Sequence, residues 1–110
     1  MNRLLAILIA ILLVSLSLAG CKVPLEADFV VDDTEVVGSK KIQFTDLSLG
    51  NIKSWAWDFE SDGIIDSTEQ NPTHTYKQNK AFTVTLTITG SGDESSITKE
   101  NYISVSGCGG

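Results

Sequence analysis

The densest group of chemically active side chains in this sequence is a set of five carboxylates within twelve residues, numbers 58–69. Their spacing, with Gly63 at the sixth position, matches a twelve-residue calcium-binding loop, in which several oxygen atoms surround a hard cation at a tight turn. The predicted ligand set uses the carboxylates and one backbone carbonyl, with the Asp66 carboxylate acting directly or through water, and comprises Asp58, Glu60, Asp62, Ile64, Asp66 and Glu69. Such a site would stiffen the loop rather than catalyse a reaction.

The same spacing has a second interpretation. Loops of the EF-hand type lie between two helices, whereas a strand pattern precedes this loop and a polar segment follows it. Glu60 is also one methylene longer than the aspartate usual at the third position. In the alternative, Asp62 and Gly63 form a turn while Glu60, Asp66 and Glu69 are solvated surface charges. Calcium therefore remains one of two interpretations of this segment.

An aromatic strand leads into the acidic loop. Trp55, Trp57 and Phe59 recur with a period of two, so in an extended chain they share one face, and Ala56 and Asp58 point to the other. Exposed tryptophans can stack on sugar rings, but this shared face favours a role in the core. The sole histidine, His74, has no nucleophile pattern near it, which argues against catalysis.

Alternating patterns predict further strands on both sides of this element. Phe29 and Val31 mark a first strand, and Ile42 and Phe44 a second one. Val36 and Val37 are assigned to the connection between them. Asp46 and Ser48 are expected to cap the turn that follows the second strand. A short strand is predicted over residues 73–76, a long one over 81–89, and a last one in which a face is shared by Ile97, Ile103 and Val105.

The aromatic strand and the segment after it resemble the polycystic kidney disease (PKD) domain. The matching signature is Trp, any residue, Phe, an Asp-Gly turn and a His-any-Tyr end, carried here by Trp57, Phe59, Asp62, Gly63, His74 and Tyr76. The resemblance extends over residues 27–106 and implies an all-β fold, an immunoglobulin-like antiparallel β-sandwich of about seven strands. Lys80 stands where the family usually has glycine, so a rearranged turn is expected at residues 78–80.

The first twenty residues read as a secretory signal. Arg3 precedes an apolar run over residues 4–19 that is shorter than a membrane-spanning helix requires. The sequence Leu18-Ala19-Gly20-Cys21 looks like a bacterial lipobox, which implies cleavage before a lipidated Cys21. The expected organisation is a signal peptide (1–20), a lipidated tether (21–26), the sandwich (27–106) and a flexible tail (107–110). An uncleaved anchor helix is the alternative, and either one tethers the chain to a membrane outside the cytoplasm.

Cysteine usage and charge limit the possible partners. Cys21 and Cys108 are expected at opposite ends of a sandwich, too far apart for a disulfide, so Cys108 either pairs between molecules or is a free thiol without a role. Without residues 1–20 the chain has seven basic residues against fourteen acidic ones, a net charge of −7. This charge repels phosphate groups and argues against nucleic-acid binding.

These features predict a non-enzymatic lipoprotein of the cell envelope, at the outer membrane or cell surface. Its PKD-like module would bind extracellular protein or polysaccharide, serve in adhesion, or act as a spacer, as the resemblance implies. One alternative is a calcium-stabilised module that assembles with copies of itself. Another is an accessory domain of a secreted hydrolase.

Overall fold

The computed structural model describes residues 23–107, all of whose regular elements are strands. The predicted signal segment (residues 1–20), the predicted lipidation site Cys21 and the thiol of Cys108 lie outside this range. No helix within it is long and apolar enough to cross a membrane. Seven strands follow in chain order: β1 (Phe29–Val31), β2 (Glu35–Val37), β3 (Lys41–Asp46), β4 (Ser54–Asp58), β5 (Thr73–Thr75), β6 (Ala81–Thr89) and β7 (Glu94–Ser106).

The strands form two sheets that enclose one core, which confirms the predicted β-sandwich. One sheet has the order β1-β3-β5 and the other the order β2-β7-β6-β4. All neighbouring strands are antiparallel except β2 and β7, which pair in parallel. The predicted alternation in β6 is confirmed, because its apolar side chains are buried and its threonines lie on the outer face.

Aromatic side chains from both sheets fill the centre of the core. The Trp57 ring lies 5.1 Å from that of Phe29 and 5.4 Å from that of Phe44, both in edge-on geometry. Phe59 packs on Phe44 at 4.7 Å, which joins the acidic loop to the opposite sheet. Such pairs contribute about 0.5–1.5 kcal/mol beyond the apolar area they bury. Trp57 and Phe59 are therefore core residues, whereas Trp55 is only partly buried.

The assignment of Val36 and Val37 to a connection was wrong. Both belong to β2, where Val36 is buried and Val37 is exposed. The chain leaves the first sheet after β1, turns where the Asp33 carboxylate accepts the Glu35 N–H (3.1 Å), and joins the edge of the second sheet beside β7. A three-residue strand has one inward side chain, which is too short a pattern to distinguish from a loop.

The segment before β1 is docked on the sandwich. Glu26 and Leu49 exchange two backbone hydrogen bonds of 3.0 and 2.9 Å. The Leu25 side chain lies against Gly50 and Gly90, in space that a β-carbon at either glycine would enter. The chain is thus fixed to the sandwich from Leu25 onward, next to the turn between β6 and β7.

We expect Gly50→Ala to destabilise the domain more than Gly92→Ala. Both glycines have a positive φ, +111° and +85°, so either alanine is strained by about 1–3 kcal/mol. A β-carbon at Gly92 meets nothing within 4 Å, but one at Gly50 would lie 2.6 Å from Leu25 Cδ2. Overpacking of this kind costs roughly 1–3 kcal/mol more. Urea denaturation should separate the two variants, and equal midpoints would mean that Leu25 is not held there.

A bulge in β7 leaves Lys99 partly buried at the edge of the core. Val84 pairs with Lys99 and Phe82 with Ile103, so β7 contains two extra residues at this point, and Asn101 has a positive φ of 50°. The Lys99 ammonium group donates to the Phe29 carbonyl (2.6 Å) and lies 3.3 Å from the Asp28 carboxylate. It also lies 4.8 Å and 4.9 Å from the centres of the Phe29 and Tyr102 rings. These contacts satisfy the inward-facing charge.

Candidate functional site

The acidic loop begins at the end of β4 and returns alongside it. The Trp57 N–H donates to the Ser67 carbonyl (2.8 Å), and the Asp66 N–H donates to the Trp57 carbonyl (2.7 Å). The Trp57 indole N–H adds a bond of 2.8 Å to the carbonyl of Glu69. Because Trp57 is itself fixed in the core, the two ends of the loop are held close together.

Asp58 organises the interior of this loop. Its carboxylate accepts backbone N–H groups from Asp62 (3.1 Å) and Gly63 (2.8 Å), with a longer one from Glu60 (3.4 Å). The alternation predicted that Asp58 lies on the face opposite to Trp57, and the loop folds over this side chain and leaves it only 6% exposed. Burial alone would raise the pKa of Asp58, but the N–H donors outweigh it and lower the pKa.

Three of the predicted ligands converge on one point. One carboxylate oxygen each from Asp58, Asp62 and Asp66 lies within 4.8 Å of the others. Asp66 also accepts the Phe59 N–H (2.9 Å), and Asp62 accepts that of Ile64 (3.0 Å), so the backbone of the loop orients both groups. Hard oxygen donors of this type suit calcium.

The other predicted carboxylate ligands are not part of this group, and the Ile64 carbonyl stays a predicted ligand. Glu60 and Glu69 are not among the converging carboxylates, and both are exposed. Glu69 serves the loop through its backbone, which accepts from Trp57 and donates to the Ser67 hydroxyl (3.2 Å). The Ile64 side chain is 66% exposed at the tip of the loop. The convergent carboxylates thus come from positions 1, 5 and 9 of the twelve-residue spacing.

His74 and Tyr76 support the loop from the opposite sheet. The His74 ring stacks on Phe59 at 4.4 Å and meets Tyr76 edge-on at 4.6 Å. Burial lowers the pKa of His74, an effect that the Asp66 charge partly offsets. The Tyr76 hydroxyl donates to the buried Phe59 carbonyl (2.7 Å), and its pKa is raised by burial and by the nearby carboxylates. These ring contacts make His74 part of the packing beneath the loop.

We expect Tyr76→Phe to lower the free energy of unfolding by about 1–2 kcal/mol, because the Phe59 carbonyl would remain buried without this donor. Tyr102→Phe is the matched control. It removes the same atom from a partly buried ring, and an effect within about 0.5 kcal/mol is expected there. Thermal melting of the two variants tests this role, and equal losses would contradict it.

A second hydrogen-bond network is centred on the Asp46 carboxylate. The Asp46 carboxylate accepts from the backbone N–H of Ser48 (2.9 Å), the Trp55 indole (2.9 Å) and the Gln70 amide (3.1 Å). Partial burial raises the pKa of Asp46, but these bonds outweigh it and hold the pKa below its ordinary value. The predicted cap of the turn by Asp46 and Ser48 is confirmed. The bond to Trp55 had no signal in the sequence, because β3 and β4 belong to different sheets and these two side chains meet only when the sheets pack together.

The outer face of the four-stranded sheet is rich in hydroxyl groups. Thr85 bonds to Thr98 (2.9 Å) and Thr87 to Ser96 (2.8 Å), while Thr89 bonds to Ser54. These side chains are the outward-facing members of β6 and of its two neighbours. The face therefore presents polar groups to solvent without a concentration of charge.

Comparison of the sequence and the structure with known proteins identifies the family of this chain. The model of the PKD domain family matches residues 23–105, which is most of the chain. This chain belongs to the PKD domain family. It is similar to the crystal structure of the PKD1 domain from the Vibrio cholerae metalloprotease PrtV, with 27% sequence identity and a TM-score of 0.61 over 76% of this chain and 99% of that one. No curated protein matches the chain.

The residues of the family signature have distinct positions in this structure. Trp57 and Phe59 supply the core, Asp62 and Gly63 lie in the loop that Asp58 anchors, and His74 and Tyr76 support that loop. At the expected departure from the family pattern, the Lys80 carbonyl accepts the Val105 N–H (3.0 Å), and the Lys80 ammonium group lies 5.3 Å from the centre of the Phe82 ring. The PKD domain is a non-catalytic immunoglobulin-like module, which is consistent with the absence of enzymatic activity predicted above.

Proposed function

We propose that this chain is a membrane-anchored lipoprotein that displays its PKD domain outside the cytoplasm, at the outer membrane or cell surface. The observation that carries the proposal is the position of the domain. The family match begins at residue 23, two residues after Cys21 of the lipobox-like sequence. A lipid on Cys21 would place a folded module directly against the envelope. More than one acyl chain is needed for stable anchoring.

The anchor is tested by expressing the full chain and Cys21→Ala in bacteria supplied with radiolabelled palmitate. The natural sequence should incorporate label and sediment with membranes. Cys21→Ala should carry no label. Failure of the natural sequence to incorporate label would remove the lipoprotein from the proposal.

The role proposed for the displayed domain is non-catalytic binding, adhesion or spacing towards extracellular protein or polysaccharide. The hydroxyl-rich outer face of β4, β6 and β7 supports this, because it offers hydrogen-bonding groups from three adjacent strands. Arrays of glycans and matrix proteins should retain the domain, and Thr87→Lys should abolish retention. Lys41→Thr is the control on the other sheet. A blank array would favour the spacer over the binding module.

Calcium stabilisation is the second candidate role. It is favoured by the convergence of Asp58, Asp62 and Asp66, whose negative charges repel one another unless a cation lies between them. A calcium ion held by these groups would fix the loop to the end of β4. Extracellular modules bind calcium with dissociation constants of about 10⁻⁴–10⁻³ M.

Calorimetric titration and thermal melting with and without calcium test this role. The natural protein should release or absorb heat and melt at a higher temperature with calcium, and Asp62→Ala should do neither. Glu60→Gln and Glu69→Gln should behave like the natural protein, because neither carboxylate belongs to the convergent group. Absence of any heat and any shift in melting temperature would reduce the loop to a solvated turn.

Two further alternatives concern assembly. The similarity to a domain of a metalloprotease supports an accessory role beside a secreted hydrolase, for which a co-purifying hydrolase is the test. Self-association through Cys108 is the other alternative. It predicts a dimer under oxidising conditions that Cys108→Ser abolishes.

A further inference from the structure

One end of the domain exposes a group of apolar side chains beside the docked N-terminal segment. Val23, Leu47 and Leu49 are 54%, 47% and 59% exposed, and they define what we call the proximal face. Leu47 and Leu49 line one shallow depression together with Ala27 and Ile97. Val23 lines the adjoining depression with Leu25 and Gly50. The residues between, 24–27, connect the two depressions into one surface.

The backbone holds this face in a fixed orientation. Besides the two hydrogen bonds between Glu26 and Leu49, the Leu47 N–H donates to the Asp28 carbonyl (2.9 Å). Leu25 is wedged against Gly50 and Gly90, so the segment cannot swing away without loss of core contacts. Val23, the first described residue, therefore leaves the domain from the proximal face itself.

The chain before Val23 identifies what covers this face. Cys21 is two residues away, and two extended residues reach at most about 7 Å. An acyl group on Cys21 would bring the proximal face to the bilayer, because no length of free linker remains to hold the domain at a distance. We infer that, in the anchored protein, the proximal face rests on the lipid surface and fixes the domain upright. This inference rests on the proposed lipidation of Cys21.

The charged residues that border the proximal face indicate which lipid headgroups it can contact. Glu26, Asp28 and Asp93 border the face. Acidic groups next to the bilayer oppose anionic headgroups, so the contact suits zwitterionic lipid, into which the leucines enter at the level of the headgroups. The opposite end of the domain is not brought to the bilayer by the lipid on Cys21. There Val37 is 79% exposed and pairs with the last residue of β7, roughly 35 Å from the start of that strand.

The test places a polarity-sensitive maleimide dye at Leu49→Cys in the full lipidated chain, with Cys108→Ser to remove the second thiol. The protein is reconstituted at low density in phosphatidylcholine vesicles. Val37→Cys carries the same dye at the far end as the control. We expect a blue-shifted emission at position 49 that brominated phosphatidylcholine quenches several-fold, and an aqueous spectrum without quenching at position 37. Leu47→Cys should repeat the result at position 49.

The other outcomes overturn the inference in distinguishable ways. If the protein binds the vesicles but the dye at position 49 has an aqueous spectrum, Cys21 is lipidated and the proximal face does not contact the lipid. A blue shift without quenching by brominated lipid means that a second copy or another protein covers the face. If Cys21 reacts with the maleimide and the protein stays off the vesicles, the lipidation and the inference fail together.

Discussion

Trp57→Ala is expected to lower the free energy of unfolding by about 3–5 kcal/mol, the range for truncation of a fully buried large aromatic side chain. Trp57 has no exposed surface and contacts Phe29, Phe44 and Phe59. Its indole also supplies the bond that holds Glu69. Small domains have a total stability of about 5–15 kcal/mol, so this single change removes a large share of it. Chemical denaturation followed by far-ultraviolet circular dichroism measures the loss.

Trp55→Ala is the matched control for this prediction. It removes the same side chain two residues earlier on the same face, where the ring is only partly buried. A loss of roughly 1–2 kcal/mol is expected. The Trp55 ring buries less apolar area than the Trp57 ring, and its removal breaks one hydrogen bond, to Asp46. Equal losses for the two variants would contradict the assignment of Trp57 as the centre of the core.

Asp58→Ala is expected to cost about 2–4 kcal/mol even when calcium is absent. The carboxylate accepts backbone donors from Asp62 and Gly63 and a weaker one from Glu60, and bonds to a charged group contribute about 1.5–3 kcal/mol each before the loop relaxes. Urea denaturation in the presence of a chelator measures this contribution. Hydrogen exchange at the N–H of Gly63 should also accelerate.

Asp62→Ala separates the backbone role of Asp58 from metal binding. Asp62 is exposed and its carboxylate accepts the nearby Ile64 N–H, so its loss should cost under about 1 kcal/mol with chelator present. If calcium binds, the two variants should lose the calcium-dependent gain in melting temperature equally. A loss in chelator that is the same for both variants would show that Asp58 does not organise the loop.

Acid should destabilise the domain in two steps. His74 has a lowered pKa, so its contribution is present above the ordinary value of 6.5 and is lost as the pH falls through the lower folded value. Asp58 also has a lowered pKa, and its contribution is present above 3.8 and is lost below it in the same way. His74→Phe should remove the first step in a series of melting curves and leave the second.

The sequence predicted those parts of the fold that depend on local alternation. β3 and β6 repeat apolar and polar residues over six and nine positions, long enough for the period to be read. β2 could not be predicted, because its three residues carry one inward side chain and its partner lies almost seventy positions away. The parallel pairing that results is a property of the assembled sandwich rather than of the segment.

The site was predictable in composition but not in arrangement. The spacing of Asp58, Asp62 and Asp66 indicated carboxylates that meet, and they do. Glu60 and Glu69 satisfied the same spacing yet lie outside the group, because the return of the chain beside β4 is set by hydrogen bonds of the Trp57 backbone and indole to residues 66–69. The burial of Asp58 follows from that return, which no local pattern specifies.

The parallel pairing of β2 with β7 determines how the domain responds to mechanical tension between its ends. The N-terminal segment leaves at the proximal face, whereas β7 ends at the opposite pole beside Gly38, whose N–H donates to the Ser106 carbonyl. A pull on the two ends draws β2 and β7 in opposite directions along their shared axis. We expect their hydrogen bonds to be loaded in shear, so that several have to break together.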